Sequence, residues 1–385
     1  GLSRIGARQS SFDAARDECA VARHGRDGAI WAVQPWPAHL GAAGYGGSGQ
    51  TVSTRTLIVT EPVLALMGPT ASGKSALAER LAERFDAELV SVDSALVYRG
   101  LSIGAAKPDY PHHLVHIREP DDPYTAADFA NDAKLCIDEI RGRGRRPILV
   151  GGSMLYFRAL IQGLDDIPAI DPAIRADIEA EAQRAGWPAL HQQLSEIDPE
   201  TASRLHPNHS QRICRALEVY RGTGTPLSEW QQGNPAPVSD DYECIALCPE
   251  DRAVLHAQIA SRLDAMFDEG LVAEVTRLFE RKGLHTDLPA IRAVGYRQVW
   301  SYLEGETDLA TCREKVLAAT RQLAKRQLTW LRSWPDLTWI WMNQAGQLVR
   351  GPDSAVDAPD ASKNGVSALA DGIWFGRLQG LMRNF

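Results

Sequence analysis

The chain has 385 residues, 44% of them hydrophobic and 23% charged, and a net charge of −8. That is the make-up of a globular protein of one large or two ordinary domains, and it excludes the fibrous and disordered classes. No window holds 18 consecutive apolar residues and the opening GLSRIGARQSSFDAARDECA has no apolar stretch, so the sequence predicts neither a spanning helix nor a secretory leader.

Residues 1–60 show no helical or strand periodicity and contain GAAGYGGSGQ. They are predicted to be a disordered extension, as is the tail over 346–385 with GPDSAVDAPDASKNG. Between these ends the pattern alternates. PVLALMG (62–68) reads as a buried strand, SALAERLAERF (75–85) as an amphipathic helix, AELVSVD (87–93) as a strand, AADFANDAKLCIDEI (126–140) as a helix and PILVGG (147–152) as a strand. Such alternation predicts an α/β fold, a parallel sheet flanked by helices. From Asp171 to about Tyr220 the reading is nearly all helix, which sets a helical insertion (166–242) between a first core part (61–165) and a second (243–345). The second part opens with the strand ECIALCP (243–249) and continues in long helices.

The strongest motif is GPTASGKS: Gly68, Pro69, Thr70, Ala71, Ser72, Gly73, Lys74 and Ser75. It fits G-x-x-x-x-G-K-[ST] between a strand and a helix, the context in which such a loop wraps backbone N–H groups around a phosphate chain. Lys74 offers it a point charge, and the Ser75 hydroxyl suits Mg2+. Asp93 ends the next strand, at the sheet edge where ligands of open α/β folds bind. Position alone leaves three roles open to it: general base, indirect Mg2+ ligand, or a cap for the following segment. GGSMLYFRAL (151–160) leaves the same edge, where two glycines permit close approach and Ser153 adds a hydroxyl; plain turn chemistry explains it equally well.

Basic residues recur on helices. Gln211, Arg212 and Arg215 share the polar side of QRICRALEVY. In RQLAKRQLTWLRSW, Arg321, Lys325 and Arg332 share one side and Leu323, Trp330 and Trp334 the other, with Leu328 breaking the pattern beside the cations. A cationic row suits an RNA backbone, although a solvated face is the commoner meaning. Residues 1–60 carry six Arg against four acidic residues, and residues 346–385 four of each sign, so the segment between sums to −10. Any RNA site is therefore a local basic patch on an acidic body.

Read together, these strings resemble the bacterial tRNA dimethylallyltransferases, also called tRNA isopentenyltransferases. SVDSALVYRG, HHLVHIREP, GGSMLYFRALIQGL, LHPNHSQRICRALEVY, HTDLPAIRAVGYRQVWSYLEG and TRQLAKRQLTWLR join the phosphate loop in the family's order over roughly 62–340. The resemblance implies a P-loop NTPase-like core with a helical insertion domain. It implies that the loop holds dimethylallyl diphosphate and not ATP, and that the acceptor is the exocyclic amine of the adenosine 3′ of certain anticodons, unstacked to reach a buried site. Asp93 would take the amine proton, while Lys74, Ser75, Mg2+ and Arg262 would hold the leaving diphosphate.

The resemblance also implies tRNA contacts at Asp93, Ser94, Ala95 and Leu96, and at Gln211, Arg212, Ile213, Cys214 and Arg215. A third stretch is Arg292, Ala293, Val294, Gly295, Tyr296 and Arg297, and a fourth Lys325, Arg326, Gln327, Leu328, Thr329, Trp330, Leu331 and Arg332, with Ser153 and Arg175 as further points. Three departures stand out: Ser75 and Ser153 occupy positions where the family commonly has Thr, and His116 one where Asp is frequent. Both serines keep the hydroxyl.

Six cysteines without a C-x-x-C pair argue against a zinc site and for a reduced, cytoplasmic protein, here expected to be a monomer. The rival readings are an adenylate isopentenyltransferase, a P-loop small-molecule kinase and an inert RNA-binding module. The first needs neither the insertion nor the basic 325–332 segment. The second needs lid arginines that no pattern shows, and the third has no use for intact Lys74, Ser75 and Asp93.

Overall fold

The structure, a computed structural model, describes residues 23–24, 30–31, 61–231, 238–342, 348–350 and 377–378. The chain divides into two units, Gly1–Ser48 and Gly49–Phe385. In the first, strands β1 (Arg23–His24) and β2 (Ile30–Trp31) pair antiparallel, with Arg23 opposite Trp31. The rest of the expected 1–60 extension lies outside the described residues, as does most of the 346–385 tail.

The second unit begins with β3 (Val63–Met67), α1 (Lys74–Phe85), β4 (Ala87–Val92), β5 (His112–His113), α2 (Ala126–Gly142), β6 (Arg146–Gly151) and α3 (Met154–Ile161). There follow α4 (Pro172–Ala185), α5 (Trp187–Ile197), α6 (Pro199–Ser203), α7 (Ser210–Thr223) and α8 (Leu227–Trp230). The chain then returns to the sheet with β7 (Tyr242–Pro249) and continues through α9 (Arg252–Asp268), α10 (Leu271–Phe279), α11 (Tyr296–Leu303), α12 (Leu309–Arg332), β8 (Thr338–Met342) and β9 (Leu348–Arg350).

The sheet runs β5-β4-β6-β3-β7-β8-β9, with six parallel strands and β9 antiparallel at one edge. Its central strands are apolar on both faces because both are covered, as parallel sheets require. Val63, Ala65 and Met67 point into the larger core, shared with α2, α3 and α9–α12. Leu64 and Leu66 point the other way, onto Leu77, Ala78 and Leu81 of α1. Leu378 is fully buried in that second cluster, and Arg377 donates to Glu61 at 2.7 Å. Helices α4–α8 hold a separate apolar cluster around Ile178, Leu190, Leu194, Ile213 and Leu217.

Side-chain caps mark where the helices start. Thr125 and Asp128 form a capping box on α2, and Asp171, Asp251 and Asp308 cap α4, α9 and α12. Each strand and helix named from the sequence is present within a few residues. The sequence pattern does not mark β1, β2, β5, β8, β9, α3 or α8, and the long helices expected after β7 are α9 and α12, with the shorter α10 and α11 between them. Strand β5 has only two residues, too few for any periodicity to show, and α3 has no side-chain cap hydrogen bond to mark its start. Among the described residues no helix is long and apolar enough to cross a membrane, and Cys136, Cys214, Cys244, Cys248 and Cys312 are buried and form no disulfide.

Candidate active site

Strand register assembles the site. Met67 and Val92 are both level with Gly151, so β3, β6 and β4 release Gly68, Gly152 and Asp93 side by side. At about 4.8 Å between neighbouring strands, the phosphate loop and Asp93 stand about 10 Å apart with the Gly152 turn between them. The two glycines are dictated by this crowding. A Cβ at Gly151 would collide with the Val92 backbone, and one at Gly152 with Gln327 and the Gly68 carbonyl.

In the phosphate loop, Gly73 adopts φ 84° as the N-cap of α1, leaving the helix N-terminus open toward a ligand. Lys74 Nζ donates to the Pro69 carbonyl at 3.1 Å. Arg262, on α9, donates to Thr70 Oγ1. Burial brings the Lys74 ammonium down to about 8; repulsion from Arg262 adds to this and Asp93 opposes it. Burial also lowers the Arg262 guanidinium, against the attraction of Asp93. The protein thus concentrates two poorly solvated cations at the loop, which a polyphosphate would stabilise.

Asp93 both caps and faces the cavity. Its Oδ1 accepts from the N–H groups of Ala95 (2.8 Å) and Leu96 (3.1 Å) and so shapes the following turn. Its Oδ2 makes no hydrogen bond among the described residues and is left for a ligand. Ser153 Oγ accepts from Ser94 N–H at 3.0 Å and donates to Ser94 Oγ at 3.3 Å, tying the turn after β6 to the loop after β4.

These groups share a cavity of about 550 Å³. Its polar lining includes Thr70, Lys74, Ser75, Asp93, Ser94, Ser153 and Arg262. Its apolar lining includes Leu96, Met154, Tyr156, Ile259, Leu263 and Met266. Ala95, Arg292, Ala293, Val294 and Gly295 close another side, and α12 contributes Leu323, Arg326, Gln327 and Trp330.

The structure corrects the reading of α12. Its buried stripe is Cys312, Val316, Ala324, Gln327, Leu328 and Leu331, so Leu328 marks the core face and breaks no pattern. Leu323 and Trp330 belong to the cavity wall, not the core, and Trp330 keeps 36% of its surface exposed. Arg321, Lys325, Thr329 and Arg332 are exposed and are absent from the cavity lining. An apolar helix face has two possible uses, core or ligand wall, and periodicity does not separate them.

The other expected RNA-contacting stretches divide in the same way. Gln211, Arg212 and Arg215 are exposed on α7, with Arg215 3.5 Å from Glu218. Ile213 and Cys214 between them are buried in the α4–α8 cluster and have no side chain to offer a ligand. Arg175 pairs with Glu179 (3.0 Å) and Glu218 (3.6 Å). Arg297 is exposed, whereas Tyr296 is fully buried and donates to Glu274 at 2.6 Å. None of the α4 or α7 residues lines the cavity.

Glu274 escaped the sequence reading. It is 3% exposed and accepts from Ser102 N–H (3.1 Å), Ile103 N–H (2.8 Å), Gly104 N–H (3.1 Å) and Tyr296 Oη–H. One carboxylate thereby joins the 102–104 loop to the start of α11, and the cavity lies beside both. The signal was its position: Leu271, Glu274, Val275 and Leu278 form one helical stripe, and a charge among core residues needs partners. His116 takes φ 56°, a left-handed conformation in which Asp is also well tolerated, and its Nε2 lies 3.2 Å from the Leu101 carbonyl. Its role is to hold this loop.

The IPP transferase family model matches residues 96–334. A tRNA dimethylallyltransferase of Thiobacillus denitrificans is 56% identical over 280 residues, covering 71% of this chain and 90% of that protein. The full-length tRNA isopentenylpyrophosphate transferase of Bacillus halodurans is 38% identical, with 74% of this chain and 90% of that one covered and a TM-score of 0.53. A eukaryotic dimethylallyltransferase acting on tRNA superimposes with a TM-score of 0.63 over 74% of this chain and 75% of that one, and at 24% identity it shows the shared fold. By this match and these relatives, the chain belongs to the IPP transferase family.

Proposed function

We propose that the protein transfers a dimethylallyl group from dimethylallyl diphosphate to the N6 amine of the adenosine 3′ of the anticodon in tRNA, releasing diphosphate. The observation that carries this reading is the convergence of Lys74, Arg262 and Asp93 on one cavity with an apolar lining. Cations suit the diphosphate, the apolar wall suits the prenyl chain, and the free Oδ2 of Asp93 suits an amine proton. N6 attacks the allylic carbon as the carbon–oxygen bond breaks. The bond pair leaves on the diphosphate, where preorganised cations stabilise it, and the N6 proton passes to Asp93.

Mg2+ fits this donor set. Ser75 and Asp93 open onto the same cavity, and among the described residues no three His, Cys, Asp or Glu cluster as a metal site. A hard cation held by one or two protein oxygens and the substrate's phosphates matches that arrangement. Bound there, Mg2+ would neutralise charge on the departing diphosphate. Ser75 would hold it directly and Asp93 indirectly.

The tRNA would rest on Arg326, Arg292 and the exposed cations of α7 and α12. The protein would act as a monomer, since one chain supplies the loop, carboxylate and apolar wall, and in the cytoplasm, where a tRNA acceptor is at hand. The test is incubation with labelled dimethylallyl diphosphate, Mg2+ and either tRNA, AMP or no acceptor, without ATP. Label is expected in tRNA alone. Label in AMP would transfer the assignment to nucleotide prenylation, and strict dependence on ATP would sink it.

A further inference from the structure

We infer that Gln327 is a positioning residue that holds the phosphate loop and the Asp93 loop at a fixed separation. The inference rests on the prenyl transfer proposed above. Gln327 is 9% exposed, within the buried stripe of α12. Its Oε1 accepts from Thr70 N–H at 2.8 Å, and its Nε2 donates to the Gly152 carbonyl at 2.9 Å. The orientation of the amide is forced, because a backbone N–H only donates and a carbonyl only accepts.

Two short chains meet at this amide. On one side Thr70 accepts from Arg262, a cation for the leaving diphosphate. On the other, Gly152 precedes Ser153, which holds Ser94, next to Asp93. Backbone pairing of β6 with β3 ends at Gly151, whereas on the β4 side Ser153 N–H still donates to the Val92 carbonyl at 3.2 Å. Beyond the strand ends no backbone bond among the described residues ties the loop after β3 to the turn after β6, and the Gln327 amide spans that gap. Displacement at an allylic carbon needs the amine and the leaving oxygen in line, and an error of about 1 Å costs on the order of a hundredfold in rate. The same helix places Arg326 and Trp330 in the cavity wall, so an acceptor resting on α12 bears on both loops through Gln327.

Gln327→Glu and Gln327→Met test this at similar side-chain length. Glu keeps the acceptor for Thr70 but sets a carboxylate oxygen against the Gly152 carbonyl, and Met removes both bonds. The measurements are turnover at saturating dimethylallyl diphosphate and tRNA, KM for the diphosphate, tRNA affinity by filter binding, and the thermal midpoint. In folded variants kcat is expected to fall on the order of tenfold to a hundredfold, with KM and tRNA affinity within about threefold of the parent. Unchanged kcat overturns the inference, as does a loss confined to KM or to tRNA affinity, which would make Gln327 a ligand contact. Failure of both variants to fold also overturns it, leaving a structural role. An inert parent chain sinks the proposed function and this inference together, whereas an active parent with unaffected variants sinks the inference alone.

Discussion

At the scale of single residues, Asp93 shows how one carboxylate serves structure and chemistry through different oxygens. Its Oδ1 holds the Ala95 and Leu96 N–H groups, a bond set that an amide oxygen can keep. Asp93→Asn is therefore expected to fold normally and to lose at least about a hundredfold in turnover, the scale of general-base removal. Steady-state transfer of label to tRNA checks this, and near-normal turnover would remove Asp93 from the role of base. Lys74 supplies a pH dependence. Its ammonium is lowered to about 8, so in the free protein it is half deprotonated near that pH and not near the usual value for lysine. Affinity for dimethylallyl diphosphate should be full below pH 7 and fall as pH rises through 8, approaching tenfold per unit at its steepest. Calorimetric titration from pH 6.5 to 9.5 checks it, and a flat profile would mean that the ligand does not depend on this charge.

At the scale of elements, two polar residues inside otherwise apolar helical stripes bind the loops that flank the candidate site. Glu274 on α10 and Gln327 on α12 each occupy a core position, and each binds backbone groups of loops that flank the cavity. Glu274→Gln replaces two acceptor oxygens by one and turns an NH2 group toward existing donors. The expected loss is on the order of 2–3 kcal/mol of unfolding free energy, the cost of unpaired buried polar groups, measured by urea denaturation. A loss under about 0.5 kcal/mol would mean that the 102–104 loop is held by other contacts. The insertion α4–α8 obeys a simpler rule: within residues 211–215, Ile213 and Cys214 help build its core and Gln211, Arg212 and Arg215 are exposed.

At the scale of the whole molecule, an acidic protein has to attract an anionic partner locally. The net charge of −8 works against long-range attraction of RNA, so individual cations carry binding at contact range. Lys325 is exposed on the flank of α12 away from the cavity lining. If RNA follows that flank, Lys325→Ala weakens tRNA binding most at low salt and reduces the log–log salt slope by about one unit or less. Affinity for dimethylallyl diphosphate should hardly change, and exposed Lys282→Ala should alter neither. Equal slopes for Lys325→Ala and the parent would reduce Lys325 to a solvated charge and shift the footprint to the flank bearing Arg326 and Trp330.

What could be read along the chain was whatever depends on near neighbours. The phosphate loop, the strand that ends at Asp93 and the helix and strand periodicities are local patterns, and so the fold class, the catalytic candidates and the family resemblance were all visible in the linear sequence. Tertiary structure alone decided which strands stand side by side, because β3, β6 and β4 become neighbours through pairings between residues 59 and 84 positions apart. It also decided whether the apolar side of α12 meets core or cavity, and it gave Glu274 and Gln327 their partners. The physical reason is the same in each case. A buried polar group is defined by what it bonds to, and those partners lie up to 257 residues away.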